Sequence, residues 1–542
     1  MKVAFIYRGS ENIGVEYLSA CLKKAGHTVS LVYDPNLFDS PYYCQNKTLD
    51  WLFSYRSKLV SMTEEAKPGL IAFSVVTDDY IWACAVAEEV KKKMDVPIIF
   101  GGIHPTCLPE KVIRKPFVDY VCVGEGEEAI VALADALEGG EQNIILPNVY
   151  SKRAGEILRG QFKAPIRDLD CRPLPDKDLF HEVYKGYSED NYTIVTSRGC
   201  PHSCSYCYNN SLRKIFGSQD SCPGRRSVGN VIDELRWAKN KYNPKTVSFY
   251  DDIFIFDKQW LREFSVCYGN EIGIPNFCFV HPLYVDKAVV SCLKEMNCTV
   301  VAMGIQSISE KIRREVLNRS ESNEDIITAI RLLREAKIFL SLTFIPGLPG
   351  QNEDELEETI KFLKMYPGDH THFLWLRYFP KTDILNIAKK RLVLTEEHIE
   401  RIEDGDVSIT GYTFAKDLRI LVSIMMLDKC LPQVFVRFLL SRKRYKRVPS
   451  FVVTFFPFYY EQAALILFSF RKIFQGFDKV SESPMLLRGS YLMHFMVKKI
   501  MLSLRYKCSI PAANVAFSMK RKNKHCAGGG KKDAGAGTGI DS

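Results

Sequence analysis

The chain has 542 residues, of which 46% are hydrophobic and 25% charged, and its net charge is +9. That balance excludes a disordered or fibrous chain, and the length allows two or three domains with full cores. The charge is mild for this length and says little about partners by itself; where the positive residues sit matters more. The first stretch, "MKVAFIYRGSENIG", lacks the long apolar core and small-residue cleavage site of a signal peptide and reads as a strand. A cytoplasmic protein is therefore expected, with its 17 cysteines mostly reduced.

Residues 1–145 alternate apolar strands ("KVAFIY", "TVSLVYD", "LIAFSVVT", "VPIIFGG", "YVCVGEGE") with helices such as "GVEYLSACLKKAG" and "EEAIVALADALEGG". This alternation predicts a Rossmann-like parallel sheet covered on both faces, with ligands beyond the carboxyl ends of its strands. The loops there are "YRGSENIG", "SVVTDD", "GGIHPT" and "GEGEE". No GxGxxG follows the first strand and no GxxxxGK[ST] occurs in this domain, so nucleotide-binding fingerprints are missing. Residues 146–190, rich in proline and aspartate, read as an extended linker.

Residues 191–404 resume the alternation, with "YTIVTS", "TVSFYDD", "FCFVHP", "VAMGIQS", "FLSLTFIPG" and "HFLWLRYF" as strands. Six such units predict a (β/α)6-type barrel whose active site lies at the C-terminal ends of the strands. The fold class is therefore α/β, a parallel-sheet domain followed by a barrel, with a mainly helical C-terminal extension over residues 405–520. In that extension "FVVTFFPFYYEQAALILFSF" is long enough to span a membrane, but Glu461, Gln462 and Pro457 argue against it. Two readings stand side by side: a basic, aromatic face resting on a membrane or partner, or a helical cap on the barrel with "SRKRYKR" simply solvated. Residues 521–542 read as a glycine-rich disordered tail.

The sharpest feature is "SRGCPHSCSYCYNN", which spaces Cys200, Cys204 and Cys207 as C-x3-C-x2-C. Zinc would usually take four ligands, but His202 is too near in sequence to be an easy fourth and no second CxxC pair follows. Iron–sulfur clusters are normally held by four thiolates; three on a four-iron cluster leave one iron open to an outside ligand. Cys222, Cys267, Cys278, Cys292 and Cys298 lack cluster spacing and read as small buried hydrophobes.

With Tyr206 before its third cysteine, the triplet resembles the signature of the radical S-adenosylmethionine (SAM) enzymes. The resemblance implies that Cys200, Cys204 and Cys207 hold a [4Fe-4S] cluster whose open iron binds SAM. One electron then cleaves SAM to methionine and a 5′-deoxyadenosyl radical, which takes hydrogen from a substrate. Other landmarks follow in order, and the resemblance assigns them to SAM: Tyr250, Asp251 and Asp252 near its amino group, and Gly304, Gln306 and Ser307 near ribose and carboxylate. Ile345 and Gly347, within "FIPGLPG", are assigned to adenine. One landmark departs: a "PGT"-like turn reads "YFPKTD" here, with Lys381 in the glycine position.

"GGIHPT", "VDYVCVGEGEEAI" and "LPDKDLF" resemble the cobalamin-binding subfamily of these enzymes, including the anaerobic cyclase of chlorophyll synthesis and B12-dependent methyltransferases. This implies cobalamin in the first domain, near Ser74, Thr77, Gly101, Gly102, His104, Gly124, Glu125 and Gly126. For Glu125, Glu127 and Glu128, helix capping is an equal reading. No D-x-H-x-x-G loop occurs, so cobalt without a protein histidine ligand is expected.

The resemblance makes methylation of an unactivated carbon the leading function, with radical cyclisation or oxidative rearrangement as the alternative. A non-catalytic B12 or redox sensor is the reading from another class. Expected partners are a small-molecule substrate, lipid or isoprenoid-like if the basic-aromatic region engages it, and a flavodoxin or ferredoxin-type electron donor. Nucleic acid is not expected, and peripheral contact with the inner face of the membrane would run through residues 405–520.

Overall fold

The structure, a computed structural model, describes residues 1–447 apart from 10, 35, 37–38, 41–43, 46–55, 142, 154, 182–190, 218–222, 415–417 and 428–432. The apolar run at 451–470, the expected tail and Cys222 lie outside the described residues.

Five parallel strands build the first sheet: β1 (Lys2–Arg8), β2 (Thr28–Asp34), β3 (Leu70–Ser74), β4 (Ile98–Gly101) and β5 (Tyr120–Cys122), in the order β2-β1-β3-β4-β5. Their apolar runs have two destinations. Val3, Phe5, Ala72 and Ile99 pack under helices α1 (Ile13–Lys24) and α3 (Glu127–Glu138). Ala4, Ile6, Ile71 and Phe73 pack under α2 (Tyr80–Lys93) on the other face. Helices cover both faces, which is why these strands read as unbroken apolar segments.

The sheet does not stop at residue 145. β6 (Val149–Arg153) and β7 (Glu156–Arg159) add to β5 as an antiparallel hairpin, so the expected linker begins as structure and the sheet is not wholly parallel. Short strands such as "VYSKR" and "EILR" carry little apolar signal, and a sheet edge tolerates that.

The second sheet has six parallel strands in sequential order: β8 (Asn191–Ile194), β9 (Thr246–Phe249), β10 (Asn276–Val280), β11 (Cys298–Gln306), β12 (Phe339–Phe344) and β13 (His370–Phe373). Alternate residues (Ile194, Phe249, Val280, Met303, Leu342 among them) enter one large core beneath the helices. Cys278, Cys292 and Cys298 are buried in that core and Cys267 packs against it, as small apolar groups would.

Helix α5 (Glu353–Met365) starts with a capping box between Asn352 and Glu355. The C-terminal extension packs on it. Leu418, Leu421, Val422 and Met425 of the helix Leu418–Leu427 enter the barrel core. The basic run is not simply solvated: Tyr445 is buried with its hydroxyl on Glu353 and Glu357, and Lys443 and Lys446 pair with Asp354 and Glu353. Up to residue 447, then, the extension is a cap on the barrel. No helix among the described residues is long and apolar enough to cross a membrane.

Candidate active site at the domain junction

The cysteine loop leaves β8 and enters α4 (Tyr208–Ile215), with Cys207 as the residue just before the helix. The N-terminal end of a helix favours a thiolate there. Cys204 is buried, Cys200 and Cys207 are half-buried, and none is in a disulfide. Burial pushes Cys200 up to about 12 and Cys207 to about 11, and neighbouring thiols add to it: Cys204 and Cys207 beside Cys200, and Cys204 beside Cys207. Among the described residues no three His, Cys, Asp or Glu side chains converge tightly enough for a single metal ion. A donor set of three uncombined thiols around one loop suits a polynuclear cluster, whose ligands stand further apart, and ligation supplies the charge that ionises them.

The loop is fixed from several sides. The Ser205 backbone N–H and hydroxyl donate to the carbonyls of Leu317 and Val316, and Arg213 donates to the carbonyl of His202 at 2.5 Å. His202 stacks on His281 with ring centroids 4.1 Å apart. Burial lowers both pKa values, His281 to about 2, so the imidazoles are neutral. Behind Cys204, buried Arg319 contacts Glu321 at 2.6 Å, donates to the Gly304 carbonyl at 2.9 Å and reaches the Tyr206 hydroxyl at 3.4 Å. Neither Arg319 nor Glu321 stood out in the sequence, because nothing local marks them.

The strand-end landmarks separate into two groups. Tyr250 and Asp252 line an open cleft. Burial raises the Asp252 pKa, opposed by a hydrogen bond from Asn209. Asp251 does not share the expected role. Its carboxylate accepts from the Thr196 N–H, the Thr196 hydroxyl and the Ser197 hydroxyl, and it is buried; those protein donors leave it to hold the loop rather than a ligand's ammonium.

Gln306 has a left-handed backbone (φ 67°) at an irregularity in the β11–β12 pairing, and its buried Oε1 has no partner. A Cβ at Gly304 would sit 2.4 Å from the Gln306 Nε2, so glycine is what lets that side chain fold back. That buried acceptor is left open to a donor from outside the protein. Ser307 is turned inward, its hydroxyl accepting from Ser309 N–H. Ile345 and Tyr206 each pack against the buried cluster that includes Leu317, Leu348 and Leu376. Gly347 (φ 79°) lies against the C-terminal extension: a Cβ there would meet the Gly411 backbone at 2.7 Å. Lys381, in the departing turn, adopts φ 62°, the conformation glycine would favour, and pairs with Glu403 at 3.2 Å.

The cleft, about 390 Å³ in volume, runs between the domains. Phe5, Ala72 and Ile99 of the first sheet floor it, and Ile13, Leu18 and Ile130 of α1 and α3 wall it. It opens past Ser74, Gly101, Gly102, Gly124 and Gly126 to Ser197, Arg198, Gly199, Tyr250 and Asp252 of the barrel. Gly102 (φ 99°) could not carry a Cβ, which would strike the Val75 carbonyl oxygen at 2.7 Å. A glycine-edged slot with apolar walls suits close approach by one part of a large, partly apolar cofactor such as cobalamin.

Three expected cobalamin residues are placed otherwise. His104 is fully buried behind the cleft wall, stacked on Tyr80 at 4.0 Å and bonded through Nδ1 to Thr77 at 3.1 Å. Burial lowers its pKa to about 3. Thr77 is equally buried and spends its hydroxyl on His104 and Tyr208. Glu125 turns to Arg198 and to the Ile166 N–H.

Residues 194–363 match the radical SAM superfamily and residues 6–134 match the B12 binding domain. The chain is 28% identical over 350 residues to an uncharacterized methyltransferase of Pyrococcus horikoshii, which covers 64% of this chain and 74% of the relative. It is 24% identical over 414 residues to the anaerobic magnesium-protoporphyrin IX monomethyl ester cyclase of Cereibacter sphaeroides, covering 70% of this chain and 62%, under two thirds, of the cyclase. The fold is similar to the radical SAM methyltransferase TsrM from Kitasatospora setae, solved with cobalamin and a [4Fe-4S] cluster (TM-score 0.57, 17% identity, 72% of this chain and 75% of that one). It is also similar to the cobalamin-dependent SAM radical enzyme OxsB (TM-score 0.59, 15% identity, 94% and 81%). A radical SAM domain works with a [4Fe-4S] cluster and SAM, and a B12 binding domain with cobalamin. The chain thus belongs to the radical SAM enzymes that carry a B12-binding domain, a family with methyltransferases and cyclases among its members.

Proposed function

We propose that the enzyme methylates an unactivated carbon of a small molecule. The observation that carries this reading is the single cleft shared by the glycine edge of the first domain and the barrel residues next to the cysteine loop. A cofactor on either side would face the same space, as a transfer between them requires. In this reading Cys200, Cys204 and Cys207 hold the cluster, while Tyr206, Tyr250, Asp252, Gly304, Gln306 and Ile345 border SAM. Ser74, Gly101, Gly102, Gly124 and Gly126 give cobalamin its close backbone approach. When bound, the cluster supplies the electron that cleaves SAM, and cobalamin carries the methyl group.

The chain's own residues do the positioning. Asp251 fixes the start of the loop, Arg319 holds a positive charge behind Cys204 and ties it to β11, and the cleft gives a bound group apolar walls. The electron would come from a flavodoxin or ferredoxin-type donor. A lipid or isoprenoid-like substrate with peripheral membrane contact is the finer version of the reading, supported by the basic and aromatic composition of residues 405–520. Flotation with anionic vesicles, with and without residues 448–520, tests it.

Cyclisation is the second reading, favoured by the similarity to the cyclase. The sensor reading has no support among the relatives, which are named as enzymes. Comparison of metabolites between a deletion strain and its parent identifies the substrate, and SAM labelled in its methyl group then decides. A product carrying one labelled methyl supports methylation; loss of hydrogens without added carbon supports cyclisation.

A further inference from the structure

The cysteine loop is gripped by the first domain at both ends. Upstream, Arg198 stands two residues before Cys200. Its Nη1 reaches Glu125 Oε1 at 3.1 Å and its Nη2 reaches Glu127 Oε1 at 2.5 Å. Glu125 lies in the glycine turn after β5, and Glu127 opens α3. The guanidinium also lies over the Tyr17 ring of α1, 5.3 Å from its centroid. Downstream, Tyr208 directly follows Cys207. Its hydroxyl meets the Thr77 hydroxyl at 2.5 Å, and Thr77 in turn contacts His104 Nδ1. Thr77 follows β3 and His104 follows β4.

The four first-domain residues thus sit just beyond the carboxyl ends of three neighbouring strands, in the turn or the first helical residues that follow each. The same ends present Ser74, Gly101, Gly102 and Gly124 to the cleft. The loops that edge the slot in the first domain and the loop that carries the three thiols are therefore tied at two points, one on either side. Arg198 is suited to this task because a guanidinium can hold two carboxylates at once, which an ammonium cannot do in the same geometry. Thr77 and His104 are fully enclosed, so the downstream tie is shielded from competing water.

We propose that Arg198 and Tyr208 are positioning residues: they clamp the cysteine loop to the cofactor edge of the first domain and so set the separation of the two cofactors. The second half of this statement rests on the cofactor assignments made above; the clamp itself does not.

The test uses the full chain in two states. In the cofactor-free protein, hydrogen exchange is followed in peptides spanning 77–79, 124–127 and 197–210. Tyr208→Phe, which removes one oxygen, and Arg198→Lys, which keeps the charge, should speed exchange on both sides of the broken tie by about threefold to tenfold, the factor for one hydrogen bond. Arg198→Ala should do more, and exchange in the distant β10 and β12 should stay unchanged. In the loaded protein, the magnetic interaction between reduced cluster and Co(II) reports their separation. It should be single-valued in the wild type, broadened in Tyr208→Phe and Arg198→Ala at full iron and cobalt content, and partly restored in Arg198→Lys. Exchange confined to the mutated side, or unchanged, overturns the clamp. Exchange as expected with an unaltered magnetic interaction overturns its control of cofactor separation. A wild type that takes up no iron or no cobalamin defeats the cofactor assignment, and the exchange result still decides the clamp.

Discussion

Asp251 accepts both the backbone N–H of Thr196, at 3.1 Å, and the Thr196 hydroxyl, at 2.8 Å. Ser197 adds a third donor, and Arg225 stands near as a cation. This carboxylate anchors the point where β8 turns into the cysteine loop. Asp251→Ala strands those buried donors and should destabilise the barrel by about 3 kcal/mol. Chemical denaturation of the metal-free chain measures it. Asp251→Asn, which keeps an acceptor, should lose less. A loss below about 0.5 kcal/mol, the size of an ordinary surface change, would deny the anchoring role.

Gly347 and Gly411 touch backbone to backbone. A Cβ on Gly347 would lie 2.7 Å from Gly411, and one on Gly411 would lie 2.5 Å from the Gly347 carbonyl oxygen. Gly347→Ala should cost about 1–3 kcal/mol from overpacking and the left-handed backbone together. Because the contact docks the extension, the same variant should expose residues 411–447 to protease first. Proteolysis that begins elsewhere would separate the two effects.

Asp79 gives the fold a pH dependence. Burial raises its pKa from 3.8 to about 6, against the attraction of Arg8 at 2.8 Å. The native state holds this proton more tightly than the unfolded chain does. Its contribution is therefore complete below about pH 4 and is lost as pH rises through about 6. Asp79→Asn should remove that slope. The difference in stability between wild type and variant should change between pH 4 and 6 and level off above, as followed by denaturation of the metal-free chain; a constant difference would refute it.

His104 is walled off from the cleft, so it should not ligate cobalt. His104→Phe should still bind cobalamin, and the electron paramagnetic resonance spectrum of its Co(II) form should match the wild type. Nitrogen splitting present in the wild type and absent from the variant would show that the histidine reaches the metal.

What the sequence revealed and what it hid follow from the range of the interactions. Most parallel strands of both sheets were legible because they are apolar runs with a local pattern, and Cys200, Cys204 and Cys207 because their spacing is local. The hairpin of β6 and β7 was missed since edge strands need few apolar residues. Arg198 was invisible in its role because its carboxylates lie 73 and 71 residues away. Asp251 was read as a ligand contact because a strand-end aspartate has the same letter whether it faces a cleft or a backbone N–H. His104 shows the converse: a histidine in a glycine-rich strand-end loop looked available, and only packing against Tyr80 reveals that it is enclosed.

The most direct test of the whole account is formation of 5′-deoxyadenosine from SAM by the anaerobically reconstituted, reduced chain and by its Cys204→Ala variant. The wild type should release the nucleoside. The variant should hold less iron, release none above background, and keep its cobalamin, since the cleft residues of the first domain are untouched. A variant that still forms 5′-deoxyadenosine at the wild-type rate would contradict the assignment of the three thiols to the cluster, and with it the proposed reaction.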